Sequence, residues 1–219
     1  MVKVLNSFED LGRSVYNLYQ NGCPLHWHPI KNWDMSQIFD ILNGYGKDAC
    51  VLEMGCGGSQ VLNLFYEKGF VNCTGIDLTL SRYDRSIQFH RTFHDHKRPY
   101  RLMKMDLMNT TFPNSYFDFV VTLSVIEHGV NVNAFLKESY RILKTGGILF
   151  LTTDYWEPKI KTDDSGWTIF SKSELEDLIS VAKDYGFSAD RGEIPPVSEP
   201  FIHYLGKNYT FASITLKKS

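Results

Sequence analysis

Short apolar runs that alternate with helical segments constrain the fold of this chain more than any other feature. The strand-length apolar runs lie at 49–54, 71–76, 100–105, 117–124 and 148–153. The segments with helical spacing between them lie at 59–68, 81–94 and 132–143. Strands separated by helices pair in parallel through right-handed crossovers, with helices on both faces of the sheet. We therefore predict a three-layer α/β sandwich.

The C-terminal third departs from this alternation. A helix is predicted at 171–185 and strands at 187–190 and 209–217, with no helix between the two strands. A parallel connection normally contains a helix, so its absence favours an antiparallel pair. The prediction is a mostly parallel, seven-stranded sheet with an antiparallel last strand.

The first 45 residues form a separate preface. Helices are predicted at 8–19 and 35–42, and the segment 23–29 between them is too rich in proline and aromatic residues for a regular element. We interpret residues 1–45 as a helical, aromatic N-terminal cap and residues 46–219 as the main domain.

The amino-acid composition excludes several classes of protein. The 219 residues are 43% hydrophobic and 22% charged, with a net charge of −2, so no basic field exists to hold a nucleic acid. The four cysteines form no CxxC pair, the apolar runs are too short to span a membrane, and no signal peptide is visible. We expect a cytoplasmic chain that binds neither membrane nor nucleic acid.

A glycine-rich turn follows the first strand, and acidic residues end the next two. The turn reads Glu53-Met-Gly-Cys-Gly-Gly-Ser59, and Asp77 and Asp106 follow at strand ends. In nucleotide-binding α/β folds, an acid about 20 residues past the glycine turn holds ribose hydroxyls. Gln60 breaks the GxGxxG pattern of dinucleotide sites, and the turn lacks a P-loop lysine. A dinucleotide oxidoreductase is therefore disfavoured.

Taken together, the ordered motifs resemble class I S-adenosylmethionine-dependent methyltransferases, and the small-molecule type 11 family is nearest. The motifs that carry the resemblance are 51–59, Gly75-Ile-Asp77, Met105-Asp106, 117–128 and 141–148. The resemblance implies a Rossmann-like fold, S-adenosylmethionine as cofactor, and residues 46–219 as the methyltransferase domain.

The resemblance also assigns cofactor-binding residues. Glu53, Gly55 and Gly57 match the loop beside the methionine part of the cofactor. Asp77 matches the acid that binds the ribose hydroxyls. Asp106 and Leu107 match the pair that holds the adenine. Ser124 matches the residue near the amino acid end of the cofactor. Ser59 departs from the family by replacing a third glycine.

Glu127 and His128 are the candidate catalytic residues, because they follow the fourth strand where ligands bind in open α/β sheets. A histidine there could take the proton of an oxygen or nitrogen nucleophile, or the pair could only shape the cofactor pocket. We expect no metal, since Ser124 stands where a metal-binding relative needs a glutamate, and His90, His94 and His96 lack a zinc context.

Aromatic segments outside the sheet are the expected walls of an acceptor site. The substrate candidates are Trp27, His28, Tyr155 and Trp156, and the C-terminal loop around Phe201 to Tyr204 is a further candidate. The predicted function is methyl transfer to an O or N atom of a small molecule, a sugar or specialised metabolite. The alternatives are a catalytically silent cofactor-binding partner subunit and an RNA or protein methyltransferase. The oligomeric state stays open, with a homodimer as one option.

Overall fold

A computed structural model describes residues 1–57, 60–80, 100–162, 166–189 and 192–219. Its helices are α1 (Phe8–Gln20), α2 (Asn32–Leu42), α3 (Val61–Glu67), α4 (Val132–Ile142) and α5 (Lys172–Asp184), with a 3-10 turn at Pro29–Lys31. The first strands are β1 (Val2–Val4), β2 (Cys50–Met54), β3 (Asn72–Asp77), β4 (Arg101–Lys104) and β5 (Phe117–Leu123). The later strands are β6 (Leu143–Tyr155), β7 (Phe187–Ser188), β8 (Ile202–Tyr204) and β9 (Lys207–Lys218).

The sheet is mixed, and its parallel part confirms the predicted fold class. Its strand order is β1-β9-β6-β5-β2-β3-β4, with β7 and β8 also paired to β9. The strands β4, β3, β2, β5 and β6 are mutually parallel, whereas β9 runs antiparallel to β6. The carboxyl ends of β2, β3 and β5 therefore meet at one edge, which is where open α/β sheets bind ligands.

Two apolar clusters on the two faces of the sheet form the core. One includes Phe135 of α4 and Leu175 of α5, and the other includes Ile38 of α2 and Phe65 of α3. Each of these side chains is fully buried. Layers of helix, sheet and helix thus bury both faces, as the alternation of strands and helices predicts.

Several details differ from the sequence prediction. Within the described residues the sheet has nine strands instead of seven, because Val2–Val4 and Ile202–Tyr204 also pair with β9. Strand β6 begins at Leu143, directly after α4, whereas a break was expected at Lys144–Gly147. A register shift between Phe117 and Phe119 accommodates this early start. The helix predicted at 81–94 and the histidines within and beside it lie outside the described residues.

The N-terminal preface is built into the sheet as well as lying beside it. Val2 and Val4 pair with Ile214 and Ala212 of β9, and Leu5 is fully buried. The division into a cap at 1–45 and a domain at 46–219 remains a prediction. No helix in the described part of the chain is long and apolar enough to cross a membrane.

Candidate active site

The glycine turn after β2 ties the ends of three strands together. The N–H groups of Gly55 and Cys56 donate to the carbonyl oxygen of Ile76 at 2.8 and 3.0 Å. Gly55 has φ +72°, and a Cβ there would lie 2.5 Å from Cγ2 of Val125, just after β5. Only glycine has both the conformation and the space for this approach.

This geometry predicts the effect of adding one methyl group. Gly55→Ala should lower the free energy of unfolding by about 1–2 kcal/mol through its positive φ, and further through the clash with Val125. Urea unfolding measures the loss. Gly22→Ala is the matched control, because Gly22 has φ +58° and open space around its Cβ. Equal losses in the two variants would show that the Val125 side chain moves aside at no cost in stability. If the clash is real, adding Val125→Ala to the Gly55 variant should restore the part of the loss that exceeds the loss in the Gly22 variant.

The acids of the predicted cofactor site stand at the same edge. Asp77 accepts hydrogen bonds from the N–H of Gly57 and the N–H of Thr79, both at 2.8 Å. Asp106 accepts from the N–H of Met108 at 2.8 Å, and Leu107 beside it is buried. Glu53 is 1% exposed at the end of β2.

These residues fit a nucleoside cofactor. Carboxylates at the ends of β3 and β4 can accept hydrogen bonds from ribose hydroxyls and an exocyclic amine. The roles of Glu53, Gly55, Gly57, Asp77, Asp106 and Leu107 remain predictions that this placement supports.

A cavity of about 1000 Å³ opens at the carboxyl ends of β5 and β6. The preface, the two strand ends and the C-terminal hairpin all contribute to its walls. Its lining residues include His28, Lys31, Ser124, Glu127, His128, Asp154, Trp167, Tyr204, Tyr209 and Phe211. The predicted cofactor residue Ser124 and the predicted catalytic pair therefore face one space.

Lys31 joins the preface to this cavity, and it was not among the residues predicted from the sequence. Its ammonium donates to Oγ of Ser124 in a short contact, pairs with Oδ2 of Asp34 at 3.0 Å and lies 3.6 Å from the ring centroid of Phe211. Its side chain is 15% exposed. No spacing motif marks a lone lysine in a proline-rich segment, so only the tertiary structure could reveal this role.

Two buried carboxylates lie on the floor of the cavity. Burial, followed by the charge of Asp154, raises the pKa of Glu127 to about 8. Burial raises the pKa of Asp154 to about 6, although Asp154 accepts a hydrogen bond from Nε1 of Trp167 at 2.8 Å. Lys31 lowers both pKa values, which places its positive charge near both acids. Lone buried carboxylates favour the protonated form because the charged form loses its hydration.

His128 lines the same cavity from an exposed position. Burial, followed by the charge of Lys31, lowers the pKa of His128. A histidine with a lowered pKa is neutral near pH 7, so one ring nitrogen can accept a proton. Its backbone is held by a bridge to Trp167.

The four predicted substrate residues are placed differently from one another. His28 lines the cavity. Trp27 is 71% exposed and does not line it, since the bend at 27–28 turns the indole to solvent. Tyr155 is 1% exposed in the core, because successive residues of β6 point to opposite faces and Asp154 takes the cavity side. Trp156 packs in the cluster of Trp167 behind the wall.

Among the described residues, no cluster of three or more histidine, cysteine or acidic side chains could hold a metal ion. The free cysteines Cys23, Cys56 and Cys73 are buried.

Comparison with known proteins supports the resemblance that the sequence motifs predict. Residues 52–151 match the family described as a methyltransferase domain. The match covers the glycine turn, the acids at the ends of β3 and β4, and the strand before Glu127 and His128. It confirms the resemblance to the class I, type 11 family and S-adenosylmethionine as the cofactor.

Curated relatives are similar to this chain over part of their length. A ubiquinone biosynthesis O-methyltransferase from Nitrosomonas europaea is 25% identical over 71% of the chain and 63% of that relative. One from Dechloromonas aromatica is 31% identical over 71% of the chain and 64% of the relative. A mitochondrial one from Rattus norvegicus is 33% identical over 47% of the chain and 30% of the relative. The chain spans less than two thirds of each.

Solved structures show the same fold. The [4+2]-cyclase SpnF aligns with a TM-score of 0.64 and 16% identity over 96% of the chain and 94% of its own. A geranyl diphosphate C-methyltransferase from Streptomyces coelicolor aligns with a TM-score of 0.65 and 15% identity over 90% and 85%. The fold is therefore shared with proteins whose names describe unrelated reactions, so function must be argued from the site.

Proposed function

We propose that this chain transfers the methyl group of S-adenosylmethionine to a hydroxyl oxygen of a small molecule bound in the cavity. The observation that carries the proposal is that Ser124 faces the cavity, while Val125 beside it packs on the glycine turn. The predicted cofactor site and the cavity thus adjoin at one strand end. The names of the curated relatives favour oxygen over nitrogen as the acceptor atom.

The cofactor supplies a methyl group on a sulfonium, which an in-line nucleophile can take. The chain's task is then to hold that nucleophile about 3 Å from the methyl carbon. In this proposal Asp77 and Asp106 hold the nucleoside, and Ser124 lies near the amino acid end. The cavity walls orient the acceptor.

His128 accepts the hydroxyl proton in this mechanism. The hydroxyl oxygen forms its bond to the methyl carbon while the proton passes to a neutral ring nitrogen, and the carbon–sulfur bond breaks with its electron pair going to sulfur. Burial and Lys31 keep His128 unprotonated near neutral pH, as a general base requires. Aromatic residues on the rim, including Trp167 and Tyr204, would exclude water from the cavity.

The residues in the cavity walls indicate the chemical class of the acceptor molecule. A sugar or specialised metabolite with a planar or apolar face would pack on the rings of Trp167 and Tyr209 while its polar groups reach Glu127 and His28. Product mass over a panel of phenols, sugars and hydroxyamines tests the activity directly. S-adenosylhomocysteine binding without any product would favour the silent partner subunit instead.

Asp77 tests the cofactor half of the proposal. Asp77→Ala should weaken S-adenosylhomocysteine binding about 10- to 100-fold, because hydrogen bonds to a charged group contribute roughly 1.5–3 kcal/mol. Calorimetry measures the change, and thermal unfolding shows whether loss of the bond from Gly57 disturbs the fold. Asp184→Ala is the matched control, since Asp184 is exposed at the end of α5. Wild-type affinity in the Asp77 variant would remove this residue from the site.

A further inference from the structure

Two buried polar atoms in the cavity have no hydrogen-bond partner among the residues that the structure describes. They are Oε1 of Glu127 and Nδ1 of His28. The other carboxylate oxygen of Glu127 accepts from Oγ1 of Thr153 at 3.2 Å. Buried polar atoms in folded proteins are nearly always partnered, so this pair indicates where a ligand supplies donors.

Both atoms can accept a hydrogen bond. A carboxylate oxygen accepts only, and Nδ1 of a neutral histidine accepts when the proton is on Nε2. The backbone N–H of His28 donates to Nδ1 of His26 at 3.0 Å, which holds the loop at this place. A ligand that satisfies both atoms needs at least two hydrogen-bond donors.

The charges of the cavity favour a cation. Glu127 and Asp154 both line it, and Lys31 is the lysine that faces them within the described residues. The ammonium of Lys31 is already shared among Asp34, Ser124 and Phe211. A positive group bound beside Glu127 and Asp154 would favour the ionised forms of both acids and be attracted by them, whereas an anion would be repelled.

Aromatic rings complete the same wall. Trp167 contacts Tyr204 and Tyr209 edge to face, with ring centroids 5.7 and 5.6 Å apart. All three rings line the cavity. A cation over such rings is stabilised by their negative faces, as Lys31 is over Phe211.

We propose that the acceptor carries a protonated amine, and that this ammonium binds between Glu127 Oε1 and His28 Nδ1 against the aromatic wall. An ammonium has three N–H donors and no acceptor, whereas a hydroxyl donates once. The ammonium anchors the molecule and leaves its hydroxyl free to lie near His128. This placement of the hydroxyl rests on the proposed function, but the ammonium site itself does not.

The test compares three probes that differ only in the terminal group, which is a cation, a neutral hydroxyl or an anion. The full chain, saturated with S-adenosylhomocysteine, is titrated with 2-phenylethylammonium, 2-phenylethanol and 3-phenylpropionate, followed by calorimetry and saturation-transfer NMR. We expect the ammonium to bind about tenfold more tightly than the alcohol, and the carboxylate to bind most weakly. Equal affinities for ammonium and alcohol, or no ammonium binding at millimolar concentration, would overturn the inference.

Glu127→Gln should abolish the tenfold preference while leaving the affinity for 2-phenylethanol within about twofold. Glu176→Gln is the control, because it makes the same substitution at an exposed position on α5. A preference that persists in the Glu127 variant contradicts the proposed site.

Tyr204 provides a second test, since it is 56% exposed and can be changed without disturbing the core. Tyr204→Leu should weaken ammonium binding about threefold, and Tyr204→Phe should not.

The outcomes separate this inference from the proposed function. Probe preference without methylated product from any acceptor would overturn the methyl transfer and support the ammonium site. Methylated hydroxyl products from neutral acceptors, without probe preference, would support the transfer and overturn the ammonium site. A methyl group found on the amine nitrogen would make that nitrogen the nucleophile, and would overturn its role as an anchor.

Discussion

Replacing His128 with alanine is expected to lower kcat about 100-fold or more while S-adenosylhomocysteine affinity stays unchanged. General-base catalysis typically contributes 10²- to 10⁴-fold. The imidazole lines the cavity that Ser124 also faces. The turnover of the best acceptor from the panel measures the effect. The lowered pKa of His128 also predicts that activity persists below the ordinary pKa of histidine.

His203→Ala is the control for this experiment. His203 lies on the rim of the same cavity, where Nδ1 contacts Oδ1 of Asn208 at 2.6 Å. Its removal should change KM more than kcat. If the His128 variant turned over at nearly the wild-type rate, positioning alone would account for catalysis and His128 would be a packing residue.

Glu127→Gln should make the unliganded protein more stable than the wild type at pH 9, but not at pH 4. In the folded chain the pKa of Glu127 is raised from 4.5 to about 8, chiefly by burial. The contribution of its protonated form to stability is therefore full below about pH 4.5 and is lost as the pH rises through about 8. The amide that replaces the carboxyl group has no proton to lose in this range, so the variant escapes this loss. We expect a relative gain of at most about 5 kcal/mol, since the pKa rises from 4.5 to about 8 and each pKa unit corresponds to about 1.4 kcal/mol.

Urea unfolding of both proteins at pH 4, 7 and 9 measures the difference, and pH effects common to both chains cancel. Glu138→Gln is the control, because its effect on stability should depend on pH in the opposite direction. Hydrogen bonds from Arg141 and Thr110 outweigh burial and lower the pKa of Glu138, so its stabilisation is present above its ordinary pKa and is lost in acid. A stability difference for Glu127→Gln that does not change with pH would mean that its carboxylate is ionised in the folded chain at neutral pH.

The placement of the residues of the proposed cofactor site could be predicted because its determinants are local. Gly55 lies in a turn whose positive φ requires glycine, and Asp77 follows the next strand at a fixed distance along the chain. Both are set by strand length and turn chemistry, which the order of residues determines. The sheet then brings strand ends together, so spacing in sequence becomes proximity in space.

The acceptor half could be predicted only in outline. The aromatic segments that were expected to build the walls do supply His28 and Trp167, but Trp27 turns to solvent and Tyr155 to the core. Which side of a strand end a residue faces depends on register, and one residue of shift exchanges Asp154 for Tyr155. The sequence alone leaves that register open.

The sequence by itself determined the layered α/β fold, the glycine turn and the acids that end β3 and β4, because periodicity and turn chemistry act over a few residues. Only the tertiary structure decided that Lys31, Glu127, Asp154 and His28 share one cavity. Lys31 and Ser124 are 93 residues apart in the chain. Their contact exists because β1, α2 and β9 fold the preface against the strand ends, and the energies that hold this packing come from burial summed over the whole core, not from any local pattern.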